Sequence, residues 1–232
     1  MKLSENQIQE LYKFTRKHYV YFYDVQTELV DHLANDIEEI WVEYPNLSFE
    51  QARDKSFKKF GIFGFMDVVE SRQKQLGTRY NRLIFKFMKD WLSIPKIIIS
   101  ATIFIFFYTL MTLNIKHDYL SVFMLILATI DIVLASKVSK KAKKRFKENN
   151  KKYLLEDIIF RVGAFSSILV FSNLFNLSTF LRHSESMITK IIIATIITLA
   201  ILYSYITLVV IPEKAEELLE ETYPEYKISK TL

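Results

Sequence analysis

The 232-residue chain is half hydrophobic and 15% aromatic, and its formal net charge is +5. The absence of cysteine excludes disulfides, thiolate metal sites and cysteine nucleophiles. Only four glycines and four prolines argue against a turn-rich β architecture and for long helices. Residues 1–94 balance 14 basic against 14 acidic side chains, 137–157 hold nine basic and three acidic, and 212–232 hold three basic and six acidic. The basic excess is therefore concentrated in one segment, 137–157.

In chain order, Met1 to Glu10 is polar and no apolar run follows it, so no secretory signal is expected. Residues 1–76 read as a small cytoplasmic helical domain. Ser4 with Gln7 has capping-box spacing. Asp24 is the expected N-cap of a helix reaching about Glu43, with the apolar stripe Leu29, Leu33, Ile37, Ile40 and Trp41. Pro45 and Asn46 break it. Ser48 with Gln51 offers a second capping box, opening a helix with Phe49, Ala52, Phe57 and Phe60 inward. Gly61 is placed as a left-handed C-cap, and a last helix, Phe65–Leu76, is expected to stop at Gly77. Asp24, Glu28, Asp31, His32, Asp36 and Glu39 crowd one helix, but a metal needs ligands from a second element and none is evident. They read as a solvated acidic face, with His32 partly packed. His18, His117 and His183 share no ligand spacing, so neither a metal nor a cofactor is expected.

The succession YDVQTELVDHLANDIEEIW, SFEQARDKSFKKFG and FMDVVESRQKQL resembles the HAAS-type domain that precedes membrane segments in many bacterial proteins. Glu28, Leu29, His32 and Leu33 match its first helix element. Ser48, Glu50 and Ala52 match its helix start, and Lys58 with Gly61 approximates its stop. Gly61-Ile62-Phe63-Gly64 stands where a Gly-Asp-Pro-like turn is common. The resemblance covers about a third of the chain. It implies a membrane-bound regulatory or accessory component, of the kind associated with PadR-type regulators or transport permeases, and brings no catalytic residues. The remainder resembles Bacteroidetes-type membrane proteins.

Residues 77–94 form an expected amphipathic coupling helix. Leu83, Ile84, Phe87, Met88, Trp91 and Leu92 make its apolar face, and Arg79, Arg82, Lys86 and Lys89 are basic. Such a helix suits the cytoplasmic membrane surface and its anionic headgroups, the alternative being packing on the amino-terminal domain.

A span of ~30 Å of hydrocarbon takes about 20 apolar residues. Four segments qualify: Ile97–Leu113 after Pro95, Tyr119–Ser136, Ile158–Leu181, and Ile191–Ile211 ending at Pro212. The expected fold is thus all-α and polytopic, with hairpins at 95–136 and 158–211 joined by a basic loop, 137–157, and followed by an acidic tail, 212–232. Nine cations in that loop, against one in 114–118 and two in the loop through Arg182 and Lys190, place it in the cytoplasm with both termini. This reading is preferred over a nucleic-acid-binding arm. The tail is expected to form a short helix facing the basic loop.

Asp131 and Arg161 lie within spans at similar depth, where they could meet as an ion pair; such a pair reads first as a lock between spans two and three, ahead of an ion or proton pathway, and whether the two pair is left open. Asn173 and Asn176 are further intramembrane polar candidates, read first as helix-packing residues. No Ser/His pair, paired Asp, H-E-x-x-H or glycine-rich phosphate motif stands at usable spacing, so no enzyme is expected. The leading expectation is a non-enzymatic accessory or regulatory protein of the bacterial inner membrane, binding a protein partner through residues 1–76 and anionic lipid near its basic loop. The alternative is a small transporter or channel subunit using Asp131, Arg161, Asn173 and Asn176, for which a homo-oligomer is left open.

Overall fold

A computed structural model describes residues 2–113, 119–149, 151–181, 186–224 and 226, with the backbone alone at 148–149 and 175–181. Among the described residues the regular structure is all helical. The chain divides into two compact units: Met1–Thr78 with Asn149–Leu155, and Arg79–Glu148 with Glu156–Leu232.

The first unit is built from α1 (Glu5–Lys17), α2 (Tyr23–Glu43), α3 (Phe49–Lys58) and the start of α4 (Met66–Asp90). Both expected capping boxes form, Ser4 with Gln7 and Ser48 with Gln51, so orphan N–H groups at two helix starts are satisfied by side chains. The α2 stripe Leu29, Leu33, Ile37, Ile40 and Trp41 is buried throughout. The Trp41 indole N–H donates to the Leu47 carbonyl at 3.0 Å, drawing the Pro45 turn back onto α2. Phe57 packs on Phe65 with ring centres 4.8 Å apart and on Phe14 at 5.2 Å, and Phe60 adds to the cluster at 4.9 Å from Phe65. Gly61 follows α3 at φ +77°, the left-handed conformation expected of it, and Gly64 repeats it at +56°.

Several expectations are corrected. The α2 N-cap is Phe22, and Asp24 lies within the helix. Its carboxylate instead accepts from the backbone N–H of Leu154 at 3.1 Å, the first residue of α7 (Leu154–Asp157), while the Tyr23 N–H donates to the Lys152 carbonyl at 2.7 Å. The start of α2 and the segment 152–154 thus satisfy each other's free backbone groups, a long-range pairing that local spacing does not encode. Gly77 does not stop a helix. α4 runs through it to Asp90, because Leu76, Tyr80 and Ile84 continue one buried row at four-residue intervals, and glycine in a helix costs only about 1 kcal/mol relative to alanine. His32 is exposed rather than partly packed.

Nor is 137–149 a loop. α6 runs from Tyr119 to Asn149, since Lys, Arg and Ala are strong helix formers and neither glycine nor proline interrupts them. The other elements are α5 (Lys96–Thr112), α8 (Gly163–Leu181), α9 (Met187–Tyr205), α10 (Ile211–Glu213) and α11 (Ala215–Thr222), with π-helical turns at Ile158–Val162 and Ile206–Val210. The chain stays helical through Pro212, where α9 was expected to end. The wider π turn opens the coil just ahead of the proline ring, which otherwise meets a carbonyl four residues back.

In the second unit α5 and α8 pack on α9 around Phe107, Met124, Leu174, Ile193, Ala194, Ile197 and Ala200. Each expected span falls on helix. Among the described residues two helices are long and apolar enough to cross a membrane: Tyr119–Lys147, of mean hydropathy 2.1, and Met187–Glu213, of 2.3. α5 is apolar but shorter, at 17 residues. The connecting residues 114–118 and 182–185, with His117, Arg182 and His183, lie outside the described residues.

Candidate functional site

Asp131 sits on α6 within a run of isoleucine, leucine and valine, yet it is 2% exposed while Ile130, Ile132 and Val133 beside it are exposed. The helix turns this carboxylate inward and the large apolar side chains flanking it outward. Ser167 of α8 donates to Asp131 Oδ2 at 3.1 Å, and Ser204 of α9 donates to Oδ1. Three helices therefore meet at one carboxylate. The surrounding groups are also hydroxyls. Ser167 has a second acceptor, the Ala164 carbonyl, at 3.1 Å. Tyr203 donates to Ser166 Oγ at 2.7 Å, and Thr207 Oγ1 lies 3.2 Å from the Ser204 carbonyl. Among the described residues no cationic side chain is within ion-pair distance of Asp131.

The Asp131–Arg161 pair that similar depth left open does not form. Arg161 is largely exposed and its Nη1 bonds Asp157 Oδ1 at 3.2 Å, one turn away on its own helix. The π turn at 158–162 resets the helix phase between Arg161 and the buried row of Ala164, Ser167, Phe171 and Leu174, so depth alone does not make partners of the two charges. Asn173 is exposed and its amide donates to the Leu169 carbonyl at 2.8 Å, while the Asn176 side chain lies outside the described residues. Ser167 and Ser204 escaped the sequence reading. The available signal was a serine on the face defined by Ala164, Phe171 and Leu174, and a lone small polar residue in the otherwise apolar end of α9.

Arg79, Arg82, Leu83, Lys86 and Phe87 lie on the second half of α4, and Trp91 follows in the turn just past its end at Asp90. Tyr80 and Ile84 are its buried residues; Leu83, Phe87 and Trp91 are half-buried, and Arg82, Phe85, Lys86 and Leu92 are exposed. The Trp91 ring meets the Tyr205 ring at 5.5 Å, Lys214 lies over Phe87, and Arg79 reaches Glu221 at 3.4 Å. Part of the expected membrane-surface face is thus taken by packing inside the second unit. Tyr80 lies against Gly163, where an added Cβ would collide with its hydroxyl, and burial pushes that hydroxyl's pKa up.

The charged end of α6 also has a defined role. Arg145 is nearly buried and donates to Glu156 at 2.8 Å, Glu216 at 3.1 Å and the Tyr226 hydroxyl at 2.5 Å. Two carboxylates offset its positive charge, and α11 is held to the basic segment as expected. Buried Leu218, Leu219, Tyr223 and Tyr226 add an apolar anchor that the acidic composition hides.

On the first unit, Ile62 and Phe63 stand out from the surface, 99% and 71% exposed, with Met66 exposed beside them. Gly61 and Gly64 bracket this pair in left-handed backbone, and Phe65 beneath it is buried in the aromatic cluster. No family model matches the chain, and neither a curated protein nor a solved structure is significantly similar to it.

Proposed function

We propose that the chain is a non-enzymatic accessory or regulatory protein of the bacterial inner membrane, with a HAAS-like amino-terminal unit that binds a protein partner. Its second unit crosses the bilayer four times, at 97–113, 119–136, 158–181 and 191–211, with both termini and the cationic end of α6 in the cytoplasm. The burial of α6 supports a membrane setting: only 17% of its apolar window is buried, against 56% for the window in Met187–Glu213, whereas the core helix of a water-soluble protein is mostly covered. Ile98, Ile105, Leu125, Ile130 and Phe165 face outward while Asp131, Ser167, Thr198 and Ser204 are inside.

The observation that carries the partner reading is the Ile62–Phe63 projection, a pair of large apolar side chains held out on a fixed turn. A photocrosslinking residue at position 63, in the intact protein in its native cells, should capture one protein species, and Ile62→Ser should abolish that capture. Diffuse labelling insensitive to Ile62→Ser would remove the reading. Because the chain has no cysteine, single substitutions test topology without background. Lys143→Cys should react only from the cytoplasmic side and Lys116→Cys only from the opposite side.

A transporter or channel subunit is the second reading. The buried Asp131 centre favours it; exposed Arg161 and Asn173 do not contribute to that centre.

A further inference from the structure

We propose that Asp131, Ser167 and Ser204 bind a small alkali cation, of which sodium is the best candidate, among α6, α8 and α9. The proposal deepens the transport reading and rests on it for biological meaning, although binding itself requires only the folded second unit.

The first argument is charge. An ionised carboxylate removed from water costs several kcal/mol unless it is paired. Asp131 receives hydrogen bonds from two neutral hydroxyls, which satisfy lone pairs without supplying positive charge. Arg161, the nearest guanidinium along the chain in α8's helical run, is engaged by Asp157.

The second argument is the donor set. Two carboxylate oxygens and two serine oxygens from three helices form an all-oxygen group of one negative charge. That suits a hard monovalent ion. A divalent ion such as calcium takes six to eight oxygens, typically from several carboxylates. Among the described residues no set of three or more His, Cys, Asp or Glu side chains stands ready for such an ion. A serine turns a lone pair to a cation most readily where its proton has another acceptor. For Ser167 the Ala164 carbonyl at 3.1 Å is already in place.

The third argument is backbone geometry. A π turn lies one turn before Ser167, and another begins two residues after Ser204. Such turns cluster at functional sites, because the extra residue breaks the regular ladder and re-aims side chains. Here both helices that present a serine to Asp131 contain one. The adjoining hydroxyls of Ser166, Tyr203 and Thr207 continue the polar surface along α8 and α9.

The test uses the full chain purified in detergent, with sodium exchanged for choline at constant ionic strength. The thermal midpoint should rise with sodium concentration, as linkage requires of a ligand that binds the folded state. Radioactive sodium should bind saturably, with lithium competing better than potassium. Asp131→Asn should abolish both responses, and Ser204→Ala should weaken binding by about tenfold or more. Should Asp131→Asn not fold, the wild type together with Ser204→Ala and Ser167→Ala still decides. No saturable sodium binding by the folded wild type overturns the proposal, as does a response to pH that sodium leaves unchanged. Because binding is read in micelles, its failure is separable from a failure of the bilayer topology, which the cysteine labelling at positions 116 and 143 reports.

Discussion

The two units solve the burial problem in opposite ways. In the first, Leu29, Leu33, Ile37 and Phe65 are inside, and Glu28, Asp31, His32 and Lys58 are outside. In the second, Ile105, Leu125, Ile130 and Phe165 are outside, while a carboxylate and several hydroxyls are within. Hydrophobic burial in water accounts for the former arrangement. The second unit also has an apolar core around Phe107 and Ile197, but its exposed isoleucines and leucines and its buried polar groups reverse that pattern, as the proposed bilayer setting requires. The same phenylalanine therefore means different things in the two units.

Truncation exposes that difference most sharply. Phe65→Ala, which empties a fully buried site, should cost about 3–5 kcal/mol. Phe165→Ala, at a side chain 62% exposed, should change stability by no more than about 0.5 kcal/mol in detergent. Chemical denaturation of the intact protein measures both, and equal losses would break the contrast. Arg145→Met tests whether charge can serve as core in the second unit. Leaving Glu156 buried without its partner should cost about 3–5 kcal/mol, and adding Glu156→Gln should restore part of it.

A smaller effect is expected where α4 meets Gly163. Gly163→Ala should lose about 1–3 kcal/mol by overpacking against Tyr80. Combining it with Tyr80→Phe, which removes the colliding hydroxyl, should recover most of that loss in thermal melts.

The smallest effect belongs to the surface of the first unit. Partial burial opposes the charge of Asp36, but the hydrogen bond and positive charge of Lys59, together with Ser56, outweigh it and hold the carboxyl below the usual carboxylate range. Ionised Asp36 then contributes stability above the unfolded-state value, near pH 4, and this is lost as the pH falls through the lower folded value. With Trp91→Phe leaving Trp41 as the only indole, fluorescence melts across that window should decline with acid. Asp36→Asn should flatten the decline.

Much of the first unit was legible because its signals are local. Capping boxes, the α2 stripe and the left-handed Gly61 each depend on residues within a few positions of one another. Gly77 and the 137–149 segment misled because breaker and charge patterns speak only to local preference; the α4 helix persists on a buried row, and the charged end of α6 on helix-forming side chains. In the candidate site, Asp131 was visible as an isolated charge in an apolar run. Its partners were not, since the π turns change the helical phase that links spacing to facing.

The sequence by itself determined the all-helical composition, the contrast between a charged amino-terminal part and apolar helices, the cation-rich end of α6 and the inward-facing need of Asp131. These follow from propensity, periodicity and the cost of isolated charge, all properties of short stretches. Only the tertiary structure decided that Asp131 meets Ser167 and Ser204 rather than Arg161, that Asp24 serves the start of α7, and that Arg145 holds the tail through Tyr226. Those pairings join residues 36 to 130 positions apart, and which of many polar groups come within hydrogen-bond reach is fixed by how whole helices pack.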